Sequence, residues 1–239
     1  MITANWPAPP NIVAGCSTRS GGVSVGVYES LNLGAHVGDD VDAVRENRLR
    51  LRTNASMPAE PAWLDQVHGT TVAVEPAVGR RADAAIARTV NRVCAVMIAD
   101  CLPVLFTNRS GTEVGAAHAG WRGLAGGVLE RTVEAFEAVP GELLAWMGPA
   151  IAQPAFEVGD EVRAAFLRQD RAASIAFVQN SQGRWQADLY ALARQRLAAV
   201  GVDQVFGGGF CTYSDAERFF SYRRDGQCGR MAAYVFRKS

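Results

Sequence analysis

Histidine is scarce in this sequence, with three copies in 239 residues, at His36, His68 and His118. A blue multicopper oxidase holds one copper with two imidazoles and a thiolate, and holds further copper ions in a histidine-rich cluster. Three histidines cannot supply that number of ligands. The composition therefore argues against copper as a multicopper centre, and against genuine laccase chemistry.

Cysteine is also sparse, and its spacing shows no pattern. The chain has an odd number of cysteines and no CxxC pair; the five are Cys16, Cys94, Cys101, Cys211 and Cys228. A disulfide framework or a structural zinc ribbon needs an even or locally paired set. We therefore expect reduced thiols, as in a cytoplasmic protein.

The sequence lacks net charge and long apolar runs. Lys and Arg together number 24, as do Asp and Glu, so no basic field favours nucleic acid or anionic lipid. No stretch approaches the length of a membrane span, and the first residues, MITANWPAPPNIVAG, do not resemble a signal peptide. We expect a cytoplasmic protein that acts on small molecules, without a nucleic-acid or membrane partner. The absence of heptads disfavours a coiled coil, and a monomer is favoured.

Strand and helix patterns are mixed along the chain. Apolar runs predict strands at VCAVMIA, PVLFT, EVGAAHA, LLAWMGPA, VFGGGFCTY and RMAAYVFRKS. Polar and apolar residues at helical spacing predict helices at DAVRENRLRLR, VLERTVEAFEAV, VGDEVRAAFLRQD and ADLYALARQRLAAVG, with AGWRGLAGG as a glycine-rich turn. No repeat or linker divides the chain, so one domain is expected over residues 1–239. The lack of a regular βαβ alternation predicts an α+β fold.

A polar turn at residues 108–111 separates two of the predicted strands. If the hairpin is centred between Arg109 and Ser110, cross-strand partners have numbers that sum to 219, as those of Cys101 and His118 do. Their Cβ atoms would then lie about 5 Å apart. Pro103 fits this pairing least, because proline is confined to edge strands and bulges.

His68, Cys101 and His118 are the candidate metal ligands. His68 lies in QVHGT and His118 in AAHAGWRG, and Cys101 follows a predicted strand, where functional residues are common. Two imidazoles and a thiolate suit Zn²⁺, and three protein ligands leave the fourth tetrahedral position open, as in catalytic zinc sites. Two alternatives stay open. In the first, Cys101 is a small buried apolar residue and both histidines are ordinary hydrogen-bonded residues, because separations of 33 and 17 positions match no local zinc signature. In the second, Cys101 is a nucleophile and His118 is its base.

Arginines in short polar or glycine-rich segments are candidates for anion binding. Their guanidinium groups can reach a phosphate or carboxylate with paired hydrogen bonds. The alternative for each one is a solvated surface side chain. The set comprises Arg19, Arg122, Arg223, Arg224 and Arg230.

Two further residues are interpreted from their neighbours. Asp100 precedes Cys101 and could orient a histidine through a hydrogen bond behind the metal ligands. It could equally cap a turn. His36, in HVGDD, has no ligand-like residue beside it and is interpreted as structural.

Several segments match those of a known family, in the same order and over almost the whole chain. They are TRSGGVS, SLNLGAHVGDD followed by ENR, QVHGT, ADCLPVLF, AAHAGWRG, GPAI, and FFSYRRDG with GRMAA. On these motifs the chain resembles the YfiH-like proteins, often labelled laccase-domain or polyphenol oxidase proteins. The resemblance implies a four-layer α-β-β-α sandwich of mixed sheets, similar to bacterial CNF-type deamidating toxins. It also implies that His68, Cys101 and His118 are zinc ligands and catalytic residues.

The resemblance implies a purine nucleoside phosphorylase that cleaves inosine, guanosine, adenosine and methylthioadenosine with phosphate, and that also deaminates adenosine. We expect one or more of Arg19, Arg122 and Arg230 to bind the phosphate. Some members instead resemble peptidoglycan editing factors, which are amidases for misloaded UDP-MurNAc-amino acids and would here use Cys101 and His118. A noncatalytic metal-binding protein is the third alternative. The chain departs from the usual pattern of the family in the segment ADAAIAR and at Cys228, and these two departures bear on substrate preference.

Overall fold

The structure is a computed structural model that describes residues 1–75 and 81–239. The strands are β1 (Ile2–Thr3), β2 (Ile12–Cys16), β3 (Val72–Val74), β4 (Ala84–Ala87), β5 (Val93–Ile98), β6 (Leu102–Asn108), β7 (Val114–Ala119), β8 (Leu143–Met147), β9 (Glu157–Val158), β10 (Phe177–Gln179), β11 (Trp185–Ala187), β12 (Gln204–Gly207) and β13 (Met231–Arg237). The α-helices are α1 (Val41–Asn54), α2 (Trp121–Gly126), α3 (Val128–Glu134), α4 (Asp160–Leu167), α5 (Leu189–Ala199) and α6 (Tyr222–Asp225).

The strands form two large sheets and one small one. The six-stranded sheet has the order β12-β8-β6-β7-β4-β3 and is mixed, because β12–β8 and β3–β4 are parallel and the other pairs antiparallel. The four-stranded sheet, β1-β2-β13-β5, is antiparallel throughout. The small sheet has the order β10-β11-β9. This arrangement confirms the α+β prediction.

The two large sheets pack face to face. Alternate residues of a strand point to opposite faces of its sheet, so the side chains of β6 alternate between two hydrophobic cores. Leu105 packs with Val96 and Val235 of the four-stranded sheet, in the core between the sheets. Val104 and Phe106 point the other way and pack against the helices.

Helices cover the outer faces of both sheets. Residues of α3 and α5, such as Leu129 and Leu192, bury the outer face of the six-stranded sheet. Leu51 of α1 packs on the outer face of the four-stranded sheet with Met97 and Tyr234. The layers are therefore helix, sheet, sheet, helix, as the family resemblance implied. Within the described residues, no helix is long and apolar enough to cross a membrane.

Helix α1 anchors the long loop that precedes it. It begins after Asp40, whose side chain caps the helix by accepting from the backbone N–H of Ala43 (2.8 Å). Asn47 is fully buried on the inner face, where its amide donates to Ser24 Oγ and to the carbonyl of Asn32. These contacts hold the loop before α1 in place, and its His36 lines the cavity described below.

The predicted β6–β7 hairpin is present, but the predicted register is wrong. Pro103, not Cys101, lies opposite His118, so partner numbers sum to 221 instead of 219. Cys101 precedes β6 and lies near Gly120. Proline is accommodated because the His118 N–H donates to the carbonyl of Asp83 (2.7 Å) on the other side of β7, so this pair requires no donor from Pro103.

The register shift originates in the turn. Asn108 Oδ1 accepts from the backbone N–H groups of Thr112 (2.8 Å) and Glu113 (3.1 Å), which folds the loop around the Asn108 side chain. Gly111 adopts φ +65°, a left-handed conformation that glycine takes without a side-chain clash. Together these contacts move the centre of the turn one residue further along the chain.

The segment AGWRGLAGG was predicted as a turn, and most of it is helix. α2 begins at Trp121, directly after Gly120, whose carbonyl accepts from the N–H of Leu124 (2.8 Å). Leu124 is fully buried in the helical core. Tertiary burial therefore outweighs the low helix propensity of the glycines.

Candidate metal centre

His68, Cys101 and His118 converge from three different elements. His68 lies in the loop before β3, Cys101 between β5 and β6, and His118 near the end of β7. One ligand atom from each lies within 4.8 Å of the others. The Cys101 Sγ to His68 Nε2 distance is 3.8 Å, and the two imidazole rings meet edge to face with centroids 4.9 Å apart. The group could hold a metal ion. Cys101 and His118 are not the cross-strand partners that the predicted hairpin register made them.

A buried carboxylate that the sequence analysis missed orients His118. Asp83 is fully buried, and its Oδ1 lies 2.9 Å from His118 Nδ1. An ionised carboxylate only accepts, so Nδ1 carries the proton and Nε2 is left as a ligand atom. Of the two roles considered for Asp100, its contacts do not match that of orienting a histidine, because it accepts from Thr212 Oγ1 (2.6 Å) and from the backbone N–H of Arg223 (2.7 Å).

The same carboxylate holds the backbone at His68. The N–H groups of Val67 (3.2 Å), His68 (2.9 Å) and Gly69 (2.7 Å) all donate to Asp83, forming an anion-binding nest of consecutive amides. His68 has φ +59°, a left-handed conformation that costs a non-glycine residue about 1 to 2 kcal/mol. Hydrogen bonds to a charged group stabilise by about 1.5 to 3 kcal/mol each, which is enough to offset that cost.

Gly120 leaves space for the three side chains to meet. A Cβ at this position would lie 2.9 Å from Cys101 Sγ and 3.1 Å from His68 Cδ2. Gly120 is buried, so an added Cβ would have to displace one of these two side chains. The glycine of AAHAGWRG is therefore part of the geometry of the site.

The charges in the group stabilise a thiolate. Burial alone would raise the pKa of the Cys101 thiol, but the positive charge of His118 and hydrogen bonds from both histidines lower it to about 6. Burial disfavours charged His118, but the Cys101 thiolate and the Asp83 carboxylate raise its pKa to about 9. Thiolate is the form of cysteine that binds a metal and that attacks as a nucleophile. Both chemical interpretations of Cys101 therefore stay open at this point.

A cavity of about 310 Å³ opens on His68, Cys101 and His118. It combines apolar walls with a few polar and charged side chains, as is typical of small-molecule sites. The other lining residues are His36, Gln66, Met97, Ala99, Asp100, Ile151, Phe156, Tyr222, Arg223 and Arg230.

The structure brings only some of the predicted arginines to this cavity. Arg230 and Arg223 line it. Arg19 and Arg122 do not line it: Arg19 donates to the carbonyls of Glu29 and Ala216 (both 3.0 Å), and Arg122 stacks on the adjacent Trp121 ring (4.3 Å).

Arg224, the last of the predicted set, also has a structural environment. Its guanidinium pairs with Asp225 (2.7 Å) and donates to the carbonyls of Thr212, Tyr213 and Phe219. It thereby ties the loop before α6 together. Of the described arginines, those that face the ligands from the cavity wall are Arg223 and Arg230.

Two other residues of the cavity wall are His36 and Gln66. His36 was interpreted as structural, but it lines the cavity, where burial and the charges of Arg230 and Arg48 lower its pKa. The Gln66 amide accepts from Met97 N–H (2.7 Å) and donates to the Met97 carbonyl (2.9 Å), which fastens the His68 loop to β5.

The sequence contains features that could have pointed to His36 and Asp83 as residues of the site. His36 is one of only three histidines, and that scarcity was a reason to consider it with the others. Asp83 is a lone carboxylate in the apolar run ADAAIA, where an acidic residue must be paired to be buried.

Comparison with known proteins decides the family. Residues 13–238 match the family model described as "Multi-copper polyphenol oxidoreductase laccase". The chain belongs to this family. It is 57% identical to the Escherichia coli protein named purine nucleoside phosphorylase YfiH, over 99% of this chain and 98% of that protein. This laccase-family chain is also 48% identical to a Haemophilus influenzae purine nucleoside phosphorylase, over 98% of each.

Solved structures of similar proteins agree with the fold. The chain superposes on the crystal structure of a Neisseria meningitidis protein with a TM-score of 0.95 and 50% identity, over 100% of this chain and 99% of that one. The YfiH-like resemblance is thereby confirmed. The family's name refers to several copper ions. Within residues 1–75 and 81–239, one cluster of three or more residues could hold a metal ion, and it consists of His68, Cys101 and His118.

Proposed function

We propose that this chain is a zinc-dependent purine nucleoside phosphorylase that cleaves inosine, guanosine, adenosine and methylthioadenosine with phosphate and that also deaminates adenosine. The observation that carries the proposal is the group of His68, Cys101 and His118 in the wall of a cavity that is also lined by arginines and aromatic rings. It is supported by relatives, named purine nucleoside phosphorylases, that are similar over nearly their whole length.

The residues present fit zinc. Two imidazoles and one thiolate are ligands that Zn²⁺ accepts, and a three-ligand set is the type found in catalytic sites. His118 has its Nδ1 engaged by Asp83, so its Nε2 is available to the metal. When bound here, zinc would supply a Lewis acid next to the substrate.

Arg223 and Arg230 are the residues we assign to phosphate. Arg230 uses Nη1 for the carbonyls of Cys228 (2.9 Å) and Gly229 (3.1 Å), and Arg223 uses Nη1 for the carbonyl of Glu157 (2.8 Å). These bonds fix both side chains at the cavity wall. A guanidinium has five N–H donors, so donors remain on each for an anion. Phosphate held there would attack C1′ of the ribose, and the electron pair of the glycosidic bond would pass to the base, which takes up a proton.

Aromatic rings at the cavity suit a purine. Phe156 and Tyr222 line it, with the Arg223 guanidinium 5.3 Å from the Phe156 ring and that of Arg230 5.9 Å from the Tyr222 ring. Stacking of a base on an aromatic side chain is worth about 1 to 3 kcal/mol. The rings and guanidinium groups would together bind the base beside the phosphate.

Nucleoside turnover with and without phosphate tests the proposal. We expect purified protein to release hypoxanthine and ribose 1-phosphate from inosine only when phosphate is present. Arg223→Ala and Arg230→Ala should each raise the KM for phosphate by about tenfold or more, because a hydrogen bond between charged groups is worth about 1.5 to 3 kcal/mol.

Arg122→Ala is the matched control, because Arg122 is exposed and stacks on Trp121 outside the cavity. Its KM for phosphate should equal that of the parent. Release of base without phosphate would contradict phosphorolysis, and an unchanged KM in both cavity variants would contradict the assigned phosphate site.

A second candidate function is a cysteine-dependent amidase for misloaded UDP-MurNAc-amino acids. The observation that favours it is the chain of contacts from Cys101 through His118 to Asp83, which has the form of a nucleophile, a base and an orienting carboxylate. Metal removal separates the two candidates. Chelation should abolish zinc-dependent nucleoside turnover, whereas a Cys101 thiolate would keep or gain activity. Turnover of neither substrate class would favour a noncatalytic metal-binding protein.

A further inference from the structure

One carboxylate contacts both histidines of the candidate metal centre. Asp83 lies immediately before β4 and is fully buried. Its Oδ1 accepts from the His118 ring and from the backbone N–H of His68, and its Oδ2 accepts from the N–H groups of Val67 and Gly69. Two ligands that are 50 positions apart in the sequence therefore share one hydrogen-bonding partner.

Each of these contacts needs an oxygen that accepts. Because both oxygens of Asp83 face N–H groups, an amide at this position would direct its own NH₂ group at a donor in either orientation. In one orientation it would repel the N–H groups of Val67 and Gly69. In the other it would donate to His118 Nδ1, and the proton of a neutral imidazole would then move to Nε2, the atom needed for the metal.

We propose that Asp83 is the positioning residue of the centre, setting the ring tautomer of His118 and the backbone conformation of His68 so that both imidazoles are in place before metal or substrate binds. The proposal rests on the proposed metal role of the three ligands and is independent of which substrate is turned over.

Glu113 provides a matched control for burial. It is 4% exposed, accepts from Arg88 Nε (2.9 Å), and accepts from the backbone N–H groups of Glu137 (3.1 Å) and Ala138 (3.0 Å). Like Asp83 it is a buried carboxylate that organises a loop. Unlike Asp83 it contacts neither histidine. Loss of fold stability alone would affect both variants, whereas loss of positioning would affect only the Asp83 variant.

Zinc affinity of the full chain is the first measurement, by competition with a chromophoric chelator. Removing the partner behind a metal-binding histidine typically costs about 10- to 100-fold in affinity, and we expect that loss in Asp83→Asn. Glu113→Gln should keep the parent's zinc affinity even though its melting temperature falls. Parent-like affinity in Asp83→Asn, or an equal loss in Glu113→Gln, would overturn the proposal.

The metal-free proteins give a readout that does not depend on zinc. In the parent, ¹⁵N NMR of the imidazoles at a pH above the His118 pKa of about 9 should show the remaining ring proton on Nδ1. At neutral pH the amide hydrogens of Val67, His68 and Gly69 should exchange slowly. Asp83→Asn should lose at least one of the two features, the Nδ1 proton or the slow exchange, according to which way its amide faces, and Glu113→Gln should keep both. Retention of both in Asp83→Asn would overturn the proposal even if the parent binds no zinc.

Asp83→Glu covers the case in which the asparagine variant does not fold. It keeps two acceptor oxygens but moves them by one methylene, so we expect weaker zinc binding with the Nδ1 proton retained. Parent-like zinc affinity in this variant would show that the position of the carboxylate is unimportant. If the parent binds zinc as expected but turns over no nucleoside, the proposed function fails and the role of Asp83 is still decided by these measurements.

Discussion

The two histidines of the centre are held in different ways. His118 lies in an interior strand of the six-stranded sheet, is 3% exposed, and has its ring fixed by Asp83. His68 is exposed, lies in a loop, and has a left-handed backbone. It is held by hydrogen bonds from its own backbone to Asp83 and by the contact of Gln66 with β5.

This difference separates fold stability from function within one site. A ligand supplied by an interior strand is also part of the core, so its loss affects both properties. A ligand supplied by a loop is positioned by a few polar contacts, so its loss should affect metal binding much more than folding. Variants on the two sides of the site can therefore be compared directly.

The largest expected effect is the loss of the metal in His118→Ala and His68→Ala. Only His118→Ala should also lower the free energy of unfolding of the metal-free protein substantially, by about 2 kcal/mol, because it leaves buried Asp83 without its ring partner. Zinc stoichiometry and urea unfolding measure the two properties.

His68→Gly sharpens this comparison. Glycine adopts the left-handed conformation freely, so the metal-free His68→Gly protein should be about 1 kcal/mol more stable than His68→Ala while binding no zinc. Equal stability losses in His118→Ala and His68→Ala would contradict the contrast between the strand and the loop.

Gly120→Ala should have the next largest effect. Its Cβ would lie within 2.9 Å of Cys101 Sγ, so either the sulfur or the His68 ring must move. Because metal ligands tolerate little displacement, we expect zinc affinity to fall by about tenfold or more, as for other perturbations next to the ligands.

Gly141→Ala is the control for this substitution. An added Cβ at Gly141 has no atom within 4 Å among the described residues, so both stability and zinc affinity should match the parent. Parent-like zinc affinity in Gly120→Ala would show that the three side chains are packed less tightly than the structure indicates.

The smallest effect is expected for Gln66→Ala. It removes two hydrogen bonds between the His68 loop and Met97, each worth about 0.5 to 1.5 kcal/mol. Amide exchange in the loop should accelerate and zinc affinity should fall a few-fold, while strand β7, which carries His118, should stay protected. Faster exchange in β7 would mean that the two sides of the site are coupled more strongly than proposed.

The sequence predicted which three side chains come together better than how they do so. The mixture of apolar runs and helical spacing led to the α+β class, and the rarity of histidine drew attention to His68 and His118. The four-layer arrangement came from the family resemblance. The register of the hairpin could not be read from the strands, because it depends on hydrogen bonds from Asn108 in the turn. The prediction that Cys101 and His118 lie close together is therefore confirmed, although the hairpin register from which it was made is wrong.

Asp83 shows why long-range polar contacts escape sequence reasoning. Asp100 was the more obvious candidate because it is adjacent to Cys101 along the chain. Its φ of +88° and its bonds to Thr212 and Arg223 direct it elsewhere. Asp83 reaches the centre because β4 pairs with β7, a contact that no local pattern reveals.

The proposed function depends on His68, Cys101 and His118 holding one metal ion together. Crystals of the zinc-loaded protein, with anomalous scattering recorded at the zinc edge, test it most directly. We expect one strong peak, about 2.0 to 2.1 Å from an imidazole nitrogen of each histidine and about 2.3 Å from Cys101 Sγ. A peak bound by other residues, or no peak between these three side chains, would contradict it.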